Sequence, residues 1–523
     1  MSMVARVRTE RNLTEMAANK LPENLAVAFE LHVEREPDAR ALIIDERSWT
    51  RAQLAELAAR ATAMLFAHGV RSGDRIVMQY DTTAEDIAMA LAAARLGVTL
   101  LPIPKRMGSR EINYLLERSQ AVLFAHAGAL PPDGIIPPRG AVVRATDSIA
   151  SASPMRTPVV RTSDEHIALI GVTSGSTGQP KAVMHGWTGV AWAAERMRAL
   201  ANVQSGETVL VTGAGAGAPG FTFFTYLGMA HGVTIVRASR WDPRLVLELA
   251  HEHRCVWSVM VTTMLQMLLQ ARAEVLGDGR LQHMRAITVG GSFMSPSLIR
   301  QARAELGVEV LRMYAMAECM AHSSMQLTDD DADRDVLDGR PGPDAELAIF
   351  DETRQRVSIG TVGEIGIKGP SLLKGYLADA DGKAWSMTDD GFLLSGDLGK
   401  VDARGYVRVV GRKKDMIIRG GFNIDPTEVE ELIRRHPDVA KVVVVGYPDK
   451  IFGERACAVV EPHPGCAIEL KTLIEFLLGL GLSKEKLPER LEVRTALPLS
   501  PDGKILKAQV RSEIGTNPAA GLL

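Results

Sequence analysis

Short apolar runs and longer helical stripes take turns along the chain. Ala41-Leu-Ile-Ile44, Asp74-Arg-Ile-Val-Met78 and Val122-Leu-Phe124 have the length and composition of buried strands. Between them, Leu54, Leu57, Ala58, Ala61 and Leu65 recur at helical spacing over Arg51 to His68, with Thr50 placed to cap the start. A helix ending near Pro37 comes before, and Thr83 to Leu96 predicts another after. Ile87 to Pro104 is the most apolar long segment; Arg95 interrupts it and proline ends it, so it predicts a core helix and a strand, not a membrane span. Residues 127–165, rich in Pro and Ser, predict a loop-rich crossing into the apolar run Ile167-Ala-Leu-Ile-Gly-Val172. A second series follows. Strands at Val209-Leu-Val211, Thr234-Ile-Val236, Val256 to Val261 and Ala286-Ile-Thr-Val289 alternate with helices at Phe221 to His231, Pro243 to His253 and Thr263 to Glu274. This alternation predicts an α/β fold of mostly parallel sheets flanked by helices. From Ala345 to Val410 the pattern shortens to β segments, a β-rich subdomain. A last unit begins near Lys414, with a helix opened by Asp425-Pro426, Glu428 at the capping-box position, and the strand Lys441-Val-Val-Val-Val445. The tail from Gly515 to Leu523 predicts frayed chain.

Composition narrows the classes. At 523 residues the chain exceeds the usual size of one core, so at least two domains are expected. A net charge of −3 gives no electrostatic footprint for nucleic acid or for stable association with an anionic membrane. Cys255, Cys319, Cys457 and Cys466 form no CxxC pair, so neither a zinc site nor a disulfide framework is expected, and a reducing cytoplasm fits. Met1 to Lys20 lacks a long apolar stretch, so no signal peptide is expected.

The chemistry concentrates in Thr173-Ser-Gly-Ser-Thr-Gly-Gln-Pro-Lys181. Gly175 and Gly178 let backbone N–H groups turn toward one point, a nest for oxyanions. Thr173, Ser174, Ser176 and Thr177 add hydroxyls, and Lys181 adds a mobile cation. The loop suits polyphosphate. It is not a Walker A loop, because only Ser176 and Thr177 separate Gly175 from Gly178, and Ala182 follows the lysine. A plain Ser/Gly-rich surface turn is the competing reading.

Four further motifs follow in order: Tyr314-Ala-Met-Ala-Glu318, Ser395-Gly-Asp397, Gly411-Arg-Lys-Lys-Asp415 and Pro501-Asp-Gly-Lys504. With the loop they resemble the adenylate-forming superfamily, in its acyl- and aryl-CoA synthetase branch, over roughly residues 25–507. The resemblance implies a large N-terminal AMP-binding domain, residues 1–413, and a small mobile α+β C-terminal domain, residues 414–523, hinged at Lys414. It implies ATP or acyl-AMP, Mg²⁺ and coenzyme A as cofactors, with a small-molecule carboxylate as partner; a homodimer is compatible with it. Thr173, Ser174, Gly175, Ser176, Thr177, Gly178 and Lys181 would hold phosphates. Tyr314 would stack on adenine, with Met313, Ala315 and Ala317 beside it and Gly290, Gly291 and Ser292 walling base and acyl group. Glu318 would hold Mg²⁺, Asp397 and Arg412 the ribose. Lys504 would bridge carboxylate and α-phosphate during adenylation. Gly420, Gly421 and Phe422 would line the pantetheine tunnel after the C-terminal domain rotates, with Gly421 counted among the catalytic positions.

Two departures change the expected chemistry. Ala317 stands where the family carries a phosphate-contacting hydroxyl, and Ala315 where it carries glycine. One lost charge-assisted hydrogen bond costs about 1.5–3 kcal/mol, roughly 10- to 150-fold in rate if felt at the transition state. A weak or absent adenylation half-reaction is therefore expected, and the chain is similar in this to the non-adenylating acyl-CoA ligases of diterpenoid antibiotic biosynthesis. Second, Thr212-Gly-Ala-Gly-Ala-Gly-Ala-Pro-Gly220 occupies the acyl-pocket region. Its small residues are expected to leave volume, with Gly217, Phe221, Phe224, Met264, Gly290 and Met316 as apolar wall. A bulky hydrophobic acid, alicyclic, polycyclic or aryl, is expected; the same run as a flexible closing loop is the competing reading. A standalone adenylation enzyme loading a carrier protein, and a binding homologue that lost the chemistry, are the alternatives.

Overall fold

The computed structural model describes residues 23–128, 133–136, 141–173, 180–213, 215–291, 294–377, 385–419, 422–499 and 505–516. Among these, the strands form four sheets. A nine-stranded sheet carries Glu309–Met316, Ala286–Gly290, Trp257–Met260, Thr208–Val211, Thr234–Arg237 and Arg40–Ile44 as parallel neighbours, with antiparallel strands at both edges. A seven-stranded sheet runs parallel from Leu169–Thr173 through Thr99–Pro104, Arg75–Tyr80 and Leu123–His126 to Ala141–Arg144. Its other edge is antiparallel, made by Lys181–His185 and Gly375–Tyr376.

Alternation along the strands divides their side chains between cores, as a two-sided sheet requires. Ile76, Met78 and Tyr80 join a core that also holds Leu42, Val209 and Ile235 of the nine-stranded sheet, whereas Val77 joins Leu101 and Ile103 in another. Helix Ala84–Leu96 belongs to the shared core and is buried almost all round. Thr83 starts it through a capping box with Asp86, and Thr50 starts Arg51–Ala67 through one with Gln53. No helix among the described residues is long and apolar enough to cross a membrane.

The β-rich part is a five-stranded antiparallel sheet in which Leu393–Val401 pairs with both Gly363–Lys368 and Val407–Arg412. The last sheet, from Ile417 onward, has cores on both faces: Val442 and Val444 point to one, Val443 and Val445 to the other.

Several expectations need correction. The 127–165 crossing holds the strand Ala141–Arg144, which pairs with Leu123–His126, and the helix Ala145–Ser151; its prolines lie outside both. Phe221–Tyr226 is π-helical before the α-helix resumes at Leu227–His231. Glu428 does not close a capping box. Asp425 caps Thr427 N, and the Glu428 carboxylate pairs with Lys486 at 2.6 Å. Gly515 and Thr516 end the helix Lys507–Thr516, while the rest of the expected tail and Met1 to Lys20 lie outside the described residues.

Candidate active site

Asp397 and Arg412 face each other across antiparallel strands, and Arg412 Nε donates to Asp397 Oδ1 at 2.9 Å. From the nine-stranded sheet, the Tyr314 hydroxyl donates to Asp397 Oδ2 at 3.1 Å. Asp397 is only 6% exposed. Burial pushes its carboxyl above the ordinary value, against the opposing pull of Arg412 and the Tyr314 hydroxyl. Burial, then the Asp397 charge, pushes the Tyr314 phenol well up, so it stays a donor. A turn aspartate is thus ruled out: Asp397 sits inside a strand.

Four residues beyond Tyr314, Glu318 sits in the turn between Glu309–Met316 and Cys319–Ser324. Its backbone is fixed on both sides. His185 Nε2 donates to Ala317 O at 2.8 Å, and Leu373 N donates to Glu318 O at 2.7 Å. The Tyr376 hydroxyl donates to Glu318 Oε1 at 2.6 Å. Lys181 Nζ lies 5.5 Å from the centroid of the Tyr376 ring. Lys181 opens its strand opposite Thr173, so this pair closes the base of the loop. Ser174, Gly175, Ser176, Thr177 and Gly178 lie outside the described residues. His185 is buried, its pKa held down to about 4 by desolvation, and its Nδ1 has no partner among the described residues.

Strand Glu309–Met316 and its turn therefore link the two groups. Met313 is paired with Gly290, where a Cβ would fall 3.0 Å from Met313 O, so only glycine lets the strands keep this contact without a shift. Gly291 takes a φ of 84°. Ser292 lies outside the described residues. The register shifts between Tyr314 and Met316, around Ala315.

The Gly/Ala run is tight at some points and open at others: a Cβ on Gly213 would meet nothing within 4 Å. A Cβ on Gly215 would lie 1.9 Å from Thr82 Oγ1, and one on Gly171 would lie 2.4 Å from Ala218 Cβ. At Gly215, and at Gly171 opposite Ala218, the residue is small because a neighbour stands close. Phe221 and Phe224 are almost fully buried in the shared core, Phe221 edge-on to Tyr80. Gly217 takes a φ of 83° ahead of them. Met264 and Met316 are half-buried, each against a different core.

Lys414 lies in the 3₁₀ turn Lys413–Asp415 joining the β-rich sheet to the last one, and Arg511 Nη1 donates to its carbonyl at 3.0 Å. Phe422 opens the strand Phe422–Ile424. Gly420, Gly421 and Lys504 lie outside the described residues.

Two residues at this site escaped the sequence reading, Tyr376 and His185. The only local signal was Gly375-Tyr376 closing an apolar stretch, and an isolated His after Met184. Their partners are 58 and 132 residues away.

The sequence model described as AMP-binding enzyme matches residues 29–377, and that of the AMP-binding enzyme C-terminal domain matches residues 428–504. The chain belongs to the AMP-binding enzyme family. Its relatives span its length. Indoleacetate--CoA ligase from Aromatoleum aromaticum is 30% identical over 501 residues, covering 92% of this chain and 96% of that protein. The 3-[(3aS,4S,7aS)-7a-methyl-1,5-dioxo-octahydro-1H-inden-4-yl]propanoyl:CoA ligase of Mycobacterium tuberculosis is 29% identical over 522 residues, covering 93% and 98%. Among solved structures, ATP-bound MatB from Rhodopseudomonas palustris superposes with a TM-score of 0.83 at 26% identity, covering 94% of this chain and 99% of that one. Membership places this AMP-binding enzyme in the acyl- and aryl-CoA synthetase branch of the adenylate-forming superfamily, as an AMP-forming acid–thiol ligase.

Proposed function

We propose that this AMP-binding enzyme forms the CoA thioester of a bulky hydrophobic carboxylic acid, alicyclic, polycyclic or aryl, and that its adenylation half-reaction is weak or absent. The reaction has two steps. A carboxylate oxygen attacks the α-phosphorus of ATP, and pyrophosphate leaves with the electrons of the broken P–O bond. The CoA thiol then attacks the acyl carbon, AMP leaves, and the thiol proton passes to solvent. Asp397 and Arg412 hold the ribose in both steps, with Tyr314 against the base. Lys181 and the hydroxyls of the 173–178 loop hold phosphates. Lys504 stands between the two anions that meet in the first step, where a fixed ammonium contributes most. In the second, turning about Lys414 replaces it with Gly420, Gly421 and Phe422 beside the pantetheine.

Among the described residues no three His, Cys, Asp or Glu side chains cluster as a metal cage. Glu318, half-buried with one oxygen bonded to Tyr376, fits a hard cation that takes its other ligands from phosphate and water. Mg²⁺, when bound, supplies positive charge against the triphosphate.

The observation that carries the weak first step is Ala317. The turn places it beside Glu318 with its carbonyl tied to His185, and its side chain ends at Cβ. No hydroxyl reaches the phosphates from there. The acid class is supported by the indoleacetate and dioxo-octahydroindenyl propanoate named for the two relatives, both ring systems. Pyrophosphate exchange with ATP and candidate ring acids, run beside thioester formation from the synthetic acyl-adenylates, tests it. Near-background exchange with brisk thioester formation is expected. Vigorous exchange removes the weak-adenylation reading, and no thioester from any adenylate removes the ligase itself.

A further inference from the structure

Tyr376 stands between two groups that come from distant parts of the chain. Its short strand is held against Lys181–His185, with Tyr376 opposite Val183. The backbone is pinned on either side: Lys374 N donates to Met184 O and Leu377 N to Ala182 O, both at 2.8 Å. Trp385 meets the ring edge-on, centroids 6.3 Å apart. From this fixed place the hydroxyl reaches Glu318 Oε1 at 2.6 Å, the length of a charge-assisted O–H···O⁻ bond. The ring meanwhile lies within cation–π range of the Lys181 ammonium. Among the described residues Glu318 thus has Oε1 engaged by Tyr376 and Oε2 left for a cation.

We propose that Tyr376 is a positioning residue for the metal–triphosphate: it orients the Glu318 carboxylate through its hydroxyl and keeps Lys181 beside the phosphates through its ring. The proposal rests on the reading of Glu318 and Lys181 given above. It matters more here because Ala317 supplies no hydroxyl, which leaves Glu318 and Lys181 a larger share of the triphosphate's charge. A neighbour that orients a metal-bound carboxylate sets affinity about 10- to 100-fold.

The test compares the full-length wild type with Tyr376→Phe, which loses the hydroxyl and keeps the ring, and Tyr376→Leu, which loses both. Mn²⁺ binding in the presence of α,β-methylene-ATP, read by the EPR signal of free Mn²⁺, is measured beside thioester formation from a synthetic acyl-adenylate and CoA. Tyr376→Phe raises the Mn²⁺ needed for half-saturation about 10- to 100-fold, and Tyr376→Leu also weakens binding of the nucleotide without metal. In both variants the loss in turnover of the preformed adenylate, which carries no triphosphate, is smaller than the loss in Mn²⁺ binding. Unchanged Mn²⁺ binding in Tyr376→Phe overturns the proposal, and so does an equal loss in the adenylate assay, which marks a merely structural role. A wild type that makes no thioester overturns the underlying reading instead, a result separable from the other two.

Discussion

The candidate site contains two carboxylates, each held by a tyrosine, and they are held differently. Asp397 lies inside a strand, nearly buried, and receives both Tyr314 and the cross-strand Arg412. Glu318 lies in a turn, half-buried, and receives Tyr376 on one oxygen. The first arrangement is complete before a ligand arrives: two paired strands of one sheet and a third strand from another fix it. The second leaves one oxygen open to charge that the ligand brings. On the function proposed above, the nucleoside part, common to ATP, acyl-AMP and AMP, meets the preorganised end, and the triphosphate, present in only one half-reaction, meets the adaptable end.

The largest effect expected from breaking this contrast is at Asp397. Asp397→Asn removes the charge that both Tyr314 and Arg412 serve. At about 1.5–3 kcal/mol for each charged hydrogen bond, kcat/KM falls roughly 10²- to 10⁴-fold. The loss appears in turnover of preformed acyl-AMP, and binding of AMP and of ATP weakens with it, because all three carry the ribose. Glu318→Gln comes next. It weakens binding of ATP with Mg²⁺ about 10- to 100-fold and leaves turnover of acyl-AMP intact; a binding titration beside a steady-state assay separates the two. Tyr314→Phe is milder, since Arg412 still holds Asp397. One hydrogen bond of about 1–1.5 kcal/mol predicts roughly a five- to tenfold rise in KM for the nucleotide.

Why one end was readable in sequence and the other was not follows from the same contrast. Asp397 and Arg412 announced themselves by motif, and the strand pairing that joins them is local, a hairpin of neighbouring strands. The sheets and most helices were legible from periodicity and from Thr50 and Thr83 as caps. Tyr376 and His185 were not, because their side chains reach partners, Glu318 and Ala317, that no window of sequence contains. The Gly/Ala run was only partly legible for a related reason. Composition says that a side chain is small, whereas only the fold says whether Thr82 or empty space lies opposite Gly215.

The smallest expected effect is on stability and belongs to the adaptable end. His185, like His231 and His322, is held down to about 4 by burial, below the 6.5 of an exposed histidine. As pH falls from about 6.5 toward 4 the unfolded chain takes up protons that the folded one refuses, so stability falls, by up to about 1.4 kcal/mol per pH unit for each histidine. Asp86 and Asp425, pushed up to about 6 by burial, act in the opposite sense: the folded chain binds their protons first, so below about 6 they recover part of the loss. Three histidines against two carboxyls leave a net loss, so the melting temperature falls as the pH drops through about 6, less steeply than the histidines alone would give. His185→Gln, whose amide keeps a donor for Ala317 O, shows a shallower drop than the wild type in thermal melts over this range.

The central claim is that one cleft has a nucleoside end built around Asp397 and a phosphate end built around Glu318. Calorimetric titration of AMP and of ATP with Mg²⁺ into the wild type, Asp397→Asn and Glu318→Gln tests it most directly. AMP binding should vanish with Asp397→Asn and survive Glu318→Gln, while binding of ATP with Mg²⁺ should weaken in both. AMP binding to Asp397→Asn at the wild-type affinity, or lost to the same degree in the two variants, would contradict the account.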